Sequence, residues 1–253
     1  MIKPDAMILT IAHKEFRSLF AAPSTWFILG ALQFIFAWFF LVILDAFLQE
    51  QSKIASLLNP IGATQFFAVN MLQVFTIILM ILVPIFTMRL IADERRSHVM
   101  PLLMAAPVSD LEIILGKFLG VLLFLSLINA ACFTMLLTLT LGVSLDFGLI
   151  FTNALGILLL TACYTALGLY FSTLTNQPIV AALSTIATLF GLWLIDFSGS
   201  SVNSSLQALS PTIHFQSFNS GLLLSYDFTY FVLMTMTFLF LAVRRLHNIR
   251  IYG

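Results

Sequence analysis

Charged side chains are scarce in this sequence. Aspartate, glutamate, lysine and arginine make up 9% of the residues, whereas 60% are hydrophobic and the mean hydropathy is +1.06. Soluble domains carry about 25% charged residues, so this composition excludes a soluble domain and predicts an integral membrane protein. Basic and acidic residues number eleven each, so the chain has no net charge, and no nucleic-acid partner is expected.

Motifs for catalysis and for metal binding are also missing. Lys117 follows a glycine, but the earlier glycine and the following Ser or Thr of a nucleotide-binding P-loop are absent. There is no HExxH motif, no Ser-His-Asp arrangement and no pair of carboxylates within the apolar segments. Cys132 and Cys163 fall in apolar segments, where we expect buried free thiols, and His214 is expected to be a hydrogen-bonded structural residue. We therefore expect a non-catalytic chain that itself binds no cofactor or metal.

The sequence contains six apolar runs of about the length, roughly 20 residues, that crosses a bilayer as a helix. These predicted spans are 25–45, 66–88, 111–141, 147–173, 178–197 and 227–244. They predict an all-α polytopic membrane protein with one transmembrane domain over residues 1–253. The first run is too long for the apolar part of a cleavable signal peptide.

Lysine and arginine placement predicts the orientation in the membrane, because cytoplasmic loops are enriched in both. With six spans, only Lys53 lies on one side. The basic residues on the other side are Lys3, Lys14, Arg17, Arg89, Arg95, Arg96, Lys117, Arg244, Arg245 and Arg250. Both termini are therefore predicted to be cytoplasmic.

Residues 6–20 have the pattern of an amphipathic helix that lies in the cytoplasmic interface before the first span. Arg17 belongs to its polar face, whereas Glu15 falls within its apolar arc. Two interpretations of Glu15 remain open: it extends to water or caps a neighbouring helix, or it forms a salt bridge with Arg89 or Lys117.

The segment 89–110, between the second and third spans, contains several local signals. Arg89, Asp93 and Arg96 share one face of a helix that continues out of the membrane. Prolines then bound a predicted short apolar helix over residues 101–106, and an exposed apolar cluster usually marks a contact with a partner. Ser109 and Glu112 form a predicted capping box at the start of the third span. In that span, Gly116 and Gly120 form a pair that allows close approach of a helix.

Polar residues inside the spans, and one long polar connection, are further candidate sites. Asn70, Gln73, Asn129 and Asn153 either line a polar cavity or form hydrogen bonds between helices. The external segment 198–226 is too polar to span the membrane and is predicted to form short amphipathic or re-entrant helices at the outer rim.

Nearly the whole chain resembles the permease subunits of ABC-2-type transporters, near the branch of gliding-motility and copper-enzyme-maturation permeases. The resemblance rests on KEFRSLFAAP (14–23), PIFTMRLIADERRS (84–97), LLMAAPVSDLEIILGKFLG (102–120), LSPTIHF (209–215) and FLFLAVRRL (238–246). It implies six spans, an interfacial elbow helix, a coupling helix between spans two and three, and short external helices before span six. Where such permeases tend to have Gly-Thr-Leu-Glu, residues 98–101 are His-Val-Met-Pro, which shortens or shifts the coupling helix.

The resemblance also implies a location in a bacterial inner membrane, together with partners and a function. A separate cytoplasmic ABC ATPase dimer would bind Mg-ATP, a second permease copy or a paralogue would complete the pathway, and the chain would couple hydrolysis to export or translocation of a substrate. Contacts are also expected with membrane lipids and with an external or periplasmic protein. The residues expected to couple to the ATPase are Arg89, Asp93, Glu94, Arg95, Arg96, Leu102, Leu103 and Met104. The alternative is a membrane-anchored subunit that transmits force to an external protein machine without moving a substrate.

Overall fold

The computed structural model describes residues 4–55, 62–97, 108–139, 145–197 and 207–252. Nearly all of these residues are helical, and no strand occurs among them. The helices are α1 Pro4–Ala21, α2 Pro23–Ala55, α3 Ala63–Thr87, α4 Arg89–Arg96, α5 Asp110–Thr138, α6 Phe147–Leu174, α7 Pro178–Phe197, α8 Pro211–Asn219 and α9 Ser225–Tyr252. The predicted short helix over residues 101–106 lies outside the described residues.

Six of the described helical segments are long and apolar enough to cross a membrane: α2, α3 with α4, α5, α6, α7 and α9. The prediction of an all-α polytopic membrane protein is therefore confirmed. Proline stands at the first position of α2, α7 and α8, where its missing N–H removes no intrahelical hydrogen bond. Two helices continue past the apolar spans predicted for them, α2 as far as Ala55 and α9 as far as Tyr252, because a helix need not end at the edge of the hydrocarbon.

Helices α3, α5 and α6 form the centre of the bundle, and α2, α7 and α9 lie at its periphery. The side chains of Phe75, Val121 and Leu160 on the central helices are fully buried. On α2, Phe36 packs edge-on against Phe75 with ring centroids 4.9 Å apart, whereas Phe34 is exposed. The aromatic residues of the first span thus divide between packing against α3 and an outward face suited to lipid.

Helix α1 lies against α5, and the two glycines of α5 allow the contact. A Cβ atom added at Gly116 would lie 2.7 Å from Cβ of Ile11, and one added at Gly120 would lie 2.8 Å from the carbonyl oxygen of Ala12. Only glycine leaves room for the backbones of α1 and α5 to lie this close. The close helix contact predicted from this pair of small residues is therefore present. The helix that approaches is α1 and not another span.

We call the end of the bundle that carries α1, α4, the start of α5 and the end of α9 the basic end. At the opposite end, α8 packs on α6, where a Cβ added at Gly156 would lie 2.6 Å from Cβ of Phe218. His214 of α8 is buried there and contacts Asp227 Oδ1 at 2.6 Å through Nδ1 and the Ala208 carbonyl oxygen at 2.9 Å through Nε2. Its ring also stacks on Tyr230. These contacts confirm that His214 is a hydrogen-bonded structural residue.

Candidate coupling site

A buried ion cluster joins three helices at the basic end. Lys117 of α5 is 2% exposed, and its Nζ lies 3.0 Å from Glu15 Oε1 on α1 and 2.7 Å from Glu94 Oε1 on α4. Both carboxylates are also largely buried. The cluster carries two negative charges and one positive charge, so each glutamate depends on the same ammonium group for its neutralisation. Of the two interpretations of Glu15, the structure therefore supports a salt bridge, with Lys117 and not Arg89 as its partner.

The glycine pair of α5 explains why a lysine can be buried at this position. Gly116 and Gly120 bring the backbone of α1 against α5 on either side of Lys117. Lys117 is almost fully buried against this contact, and an unpaired ammonium group would be costly there. Glu15 and Glu94 supply the opposite charge from two directions, so separating α1 or α4 from α5 would leave a charge without its partner.

The junction between α3 and α4 contains an inserted side chain. Ser172 Oγ, in the last turn of α6, accepts hydrogen bonds from the backbone N–H groups of Ile91 and Ala92, both at 3.1 Å. Its hydroxyl donates to the carbonyl oxygen of Met88 at 3.0 Å. A hydroxyl that enters the backbone ladder in this way is one of the established causes of a helix break. Because Met88 keeps right-handed helical torsions, φ −57° and ψ −32°, α4 continues from α3 with only a local interruption.

A second contact also attaches α4 to the end of α6. Arg95 Nη1 donates a hydrogen bond to the Thr173 carbonyl oxygen at 3.1 Å. Leu90, Ile91 and Ala92 are buried, while the other face of α4, with Arg89, is exposed. Helix α4 is thus fixed to α5 by an ion pair and to α6 by hydrogen bonds.

The start of α5, on the far side of residues 98–107, is fixed as well. The predicted capping box is confirmed: the Ser109 N–H donates to Glu112 Oε2 at 2.8 Å, and the Glu112 N–H donates to Ser109 Oγ at 3.3 Å. Asp110 lies 3.0 Å from His247 Nδ1 and accepts a hydrogen bond from Arg250 Nη1 at 2.9 Å, which ties α5 to the end of α9. Both flanks of residues 98–107 are therefore anchored to the bundle.

The structure places the other predicted coupling residues as follows. Arg89, Asp93 and Arg96 lie on the exposed face of α4, and Arg17 is exposed on α1. Leu102, Leu103 and Met104 lie outside the described residues.

A cavity of about 480 Å³ lies towards the opposite end, between α3, α7 and α8. Its polar lining residues are Gln73, Thr76, Asp196, Thr212, Gln216, Asn219 and Ser220. Trp193 and Phe215 add aromatic walls. Asn219 Oδ1 is buried and has no hydrogen-bond partner within the described part of the chain. The cavity offers amides, hydroxyls and one carboxylate to a polar ligand.

The four polar span residues have different surroundings. Gln73 lines the cavity. Asn129 Nδ2 donates to Thr161 Oγ1 at 3.1 Å, which is a buried hydrogen bond between α5 and α6. Asn70 and Asn153 donate to carbonyl oxygens of their own helices, those of Phe66 and Leu149, each at 2.8 Å.

Three features of these sites were not predicted from the sequence. The contacts of Ser172 with the backbone at the junction of α3 and α4 were not foreseen, although Ser172 falls within the predicted fourth span. The role of Asp110 in binding α9 was not foreseen, although an acidic residue in the first turn of α5 and basic residues in the last turns of α9 were visible. The packing of α8 beside α3 and α7, which forms the cavity, was also not predicted from the polar residues of segment 198–226.

Comparison with known families identifies the chain. Residues 9–245 match the family model described as "ABC-2 family transporter protein", which covers nearly the whole sequence. No curated protein sequence matches the chain at a significant level. The six apolar helices and the length of the match lead to one conclusion: the chain belongs to the ABC-2 family of transporter proteins, as a membrane-spanning permease subunit of an ABC transporter.

Proposed function

We propose that this permease couples ATP hydrolysis by a separate ATPase dimer to the movement of a substrate through the cavity between α3, α7 and α8. In this proposal the basic end faces the cytoplasm of a bacterium, so both termini are cytoplasmic and the ATPase contacts residues 98–107. Mg-ATP binds to the ATPase and not to this chain.

The observation that carries the proposal is the near-continuity of α3 and α4. Glu94, on α4, belongs to the ion cluster at the basic end, and Gln73 and Thr76, on α3, line the cavity towards the opposite end. A displacement of α4 by a partner would therefore act on the cavity wall through one helical rod. Ligand-driven coupling of this kind needs two sites and an element with two arrangements that both sites bias.

The anchored flanks of residues 98–107 support the same assignment. Force applied to a loose loop would be lost in local motion, whereas here α4 is held by Lys117 and the start of α5 is held by Arg250. A push on the segment would move the ends of α3 and α5 together.

The outward face of α3 supports a second permease copy beside this one. The amide side chains of Asn70 and Gln73 are exposed within the apolar part of α3, although Asn70 Nδ2 donates to a carbonyl oxygen of its own helix. A polar group that faces hydrocarbon without a hydrogen-bond partner costs about 2 kcal/mol or more. A partner permease, identical or paralogous, would cover this face and close the cavity laterally.

The cavity also favours transport over the alternative of force transmission to an external machine. A subunit that only transmits force needs a rigid connection but no polar cavity next to its input helix. Replacing Gln73 with leucine should reduce ATP-driven transport in vesicles if the cavity carries substrate. The ATP-dependent conformational change should stay intact in this variant. If the chain only transmits force to an external machine, the variant should behave like wild type.

Affinity purification from gently solubilised membranes tests the class of the complex. The chain should recover an ABC ATPase, and Leu103→Arg should abolish that recovery while the permease still inserts, because it places a charge in the apolar docking segment. Leu9→Arg is a matched control, since Leu9 is exposed on α1 and lies outside this segment. Recovery of the ATPase at wild-type level by the Leu103 variant would contradict the docking assignment.

Coupling itself is tested by Glu94→Ala in vesicles reconstituted with the ATPase. The variant should still support ATP hydrolysis but transport little, since α4 loses its ion pair with α5. Normal transport per ATP hydrolysed would count against a role for the cluster in force transmission.

A further inference from the structure

A second cleft, of about 400 Å³, opens at the basic end between α1, the start of α2 and the junction of α3 with α4. Its charged lining includes Lys14 from α1 and Arg89 and Asp93 from α4, and all three side chains belong to exposed residues. Glu15, Glu94 and Lys117 form its floor and are already paired with one another.

Among the residues that the structure describes, none forms a salt bridge with the three charged residues at the mouth of the cleft. Arg89 and Asp93 are one helical turn apart, a spacing that often forms an ion pair. Yet within the described ranges neither of them, nor Lys14, makes a side-chain hydrogen bond or an ion pair, whereas Lys117 just below makes two. Two cations and one carboxylate are thus available to a ligand from outside the chain.

The inner walls of the cleft are apolar and extend into the membrane spans. They consist of Leu19, Ile28, Ile85 and Phe86. At 1.5 Å per residue, Ile28 lies about 8 Å along α2 from its first residue, and Ile85 lies about 6 Å along α3 from Arg89. The cleft therefore has a charged mouth above an apolar interior, over a depth comparable to that of a lipid headgroup and the first part of its acyl chain.

The surroundings of the cleft mark the interface between membrane and water. Trp26, in the first turn of α2, is exposed, and its Nε1 donates to the Phe20 carbonyl oxygen at 2.9 Å. Exposed tryptophans at the ends of spans are typical of that interface, and α1 has the amphipathic pattern of a helix that lies within it. Basic pockets between membrane helices at this level bind phosphate-bearing lipid headgroups.

We propose that this cleft is a binding site for one phospholipid, whose phosphate is held by Lys14 and Arg89 and whose acyl chain lies against Ile28 and Ile85. Asp93 accepts hydrogen bonds from the ammonium or hydroxyl groups of the headgroup. The lipid then bridges α1 and α4, the same two helices whose glutamates share Lys117. A side chain of a soluble partner is a poorer match, because it would have to enter the apolar depth of the membrane.

The test uses native mass spectrometry of the purified full chain after removal of bound lipid. Phosphatidylethanolamine, phosphatidylglycerol and diacylglycerol with identical acyl chains are added in turn. The wild-type chain should bind one molecule of either phospholipid more tightly than diacylglycerol, which lacks the phosphate. Lys14→Ala with Arg89→Ala should weaken phospholipid binding by about 30-fold, from the contribution that each basic residue near a membrane surface makes.

The matched control is Arg17→Ala with Arg96→Ala, which removes exposed cations from the same two helices but outside the cleft. This control should change the affinity less than about twofold. A second variant, Ser18→Phe, fills the cleft without removing a charge and should also prevent binding.

Three results would overturn the proposal. The first is that diacylglycerol binds as tightly as the phospholipids. The second is that the cleft double variant and the control double variant lose the same amount of phospholipid affinity. The third is that a cleft variant keeps its lipid but no longer recovers the ATPase. The last result would identify the cleft as a protein-docking surface. Helix content and the unfolding temperature of each variant show whether it is folded. If the Lys14→Ala and Arg89→Ala double variant does not fold, Ser18→Phe still tests the site.

Discussion

Replacing Lys117 with methionine is expected to destabilise the protein strongly. The change keeps an unbranched side chain that is only one atom shorter, but it removes the charge that two largely buried carboxylates share. Glu15 Oε1 lies 3.0 Å and Glu94 Oε1 lies 2.7 Å from Lys117 Nζ, so these two oxygens are at most about 6 Å apart. At that distance two negative charges repel by about 3 kcal/mol with an effective dielectric constant of 20.

Loss of the ammonium group adds the penalty for leaving its partners buried without a counter-ion. Removing one partner of a buried ion pair typically costs about 3–5 kcal/mol. This range includes the repulsion between the two carboxylates. For a chain of this size, that corresponds to a fall in unfolding temperature of roughly 6–20 °C.

Thermal unfolding of the purified permease, followed by circular dichroism in one detergent, measures this effect. Arg17→Met is the matched control, since Arg17 is exposed on α1 near Glu15 and outside the cluster. It should shift the unfolding temperature by less than about 2 °C. If the two variants unfolded at the same temperature, the cluster would not be what holds α1 and α4 on α5.

A triple variant separates stability from coupling. Lys117→Met together with Glu15→Gln and Glu94→Gln removes every charge from the cluster, and neutral replacements of buried ion groups are often no less stable than the original. We expect the unfolding temperature to return to within a few degrees of wild type. ATP-driven transport should stay low if the ion pairs transmit force, whereas recovery of transport would assign the cluster a purely structural role.

Three further predictions use the same unfolding measurement. Ser172→Ala should lower the free energy of unfolding by about 1–3 kcal/mol, because two buried N–H groups lose their acceptor. Ser184→Ala should have little effect, since that hydroxyl donates to carbonyl oxygens of its own helix. Asp110→Ala should lower it by about 1.5–3 kcal/mol, since α9 loses its charged acceptor, and an unchanged stability would contradict a tie between α5 and α9. Gly116→Ala should lower it by about 1–3 kcal/mol through overpacking against α1, whereas Gly30→Ala, with no neighbouring atom within 4 Å, should be neutral or slightly stabilising.

Much of the fold was predictable because its signals are local. Hydrophobic runs located the six spans, and the Ser109 and Glu112 spacing located the start of α5, since both depend on residues close together in sequence. The glycine pair predicted a close helix contact but not its partner, because small residues show only that a backbone can approach.

The long-range contacts of the candidate coupling site were less predictable. Lys117 was one of two candidate partners of Glu15, from which it is separated by 102 residues, and only packing of α1 on α5 decides between them. Ser172 binds a backbone 81 residues away, and nothing in its own segment distinguishes it from other helical serines. The cavity combines residues of α3, α7 and α8, so its walls follow from the bundle and not from a motif.

The central claim, that ATP acting at the basic end changes the cavity towards the opposite end, is tested most directly by labelling a cysteine in the cavity. Ser220→Cys places an exposed thiol in the lining, and the native Cys132 and Cys163 are buried and should react little. In vesicles reconstituted with the ATPase recovered by affinity purification, the rate of maleimide labelling should differ between the ATP-bound and nucleotide-free states. Adding Glu94→Ala should remove that difference. A labelling rate that is the same with and without ATP would contradict the account.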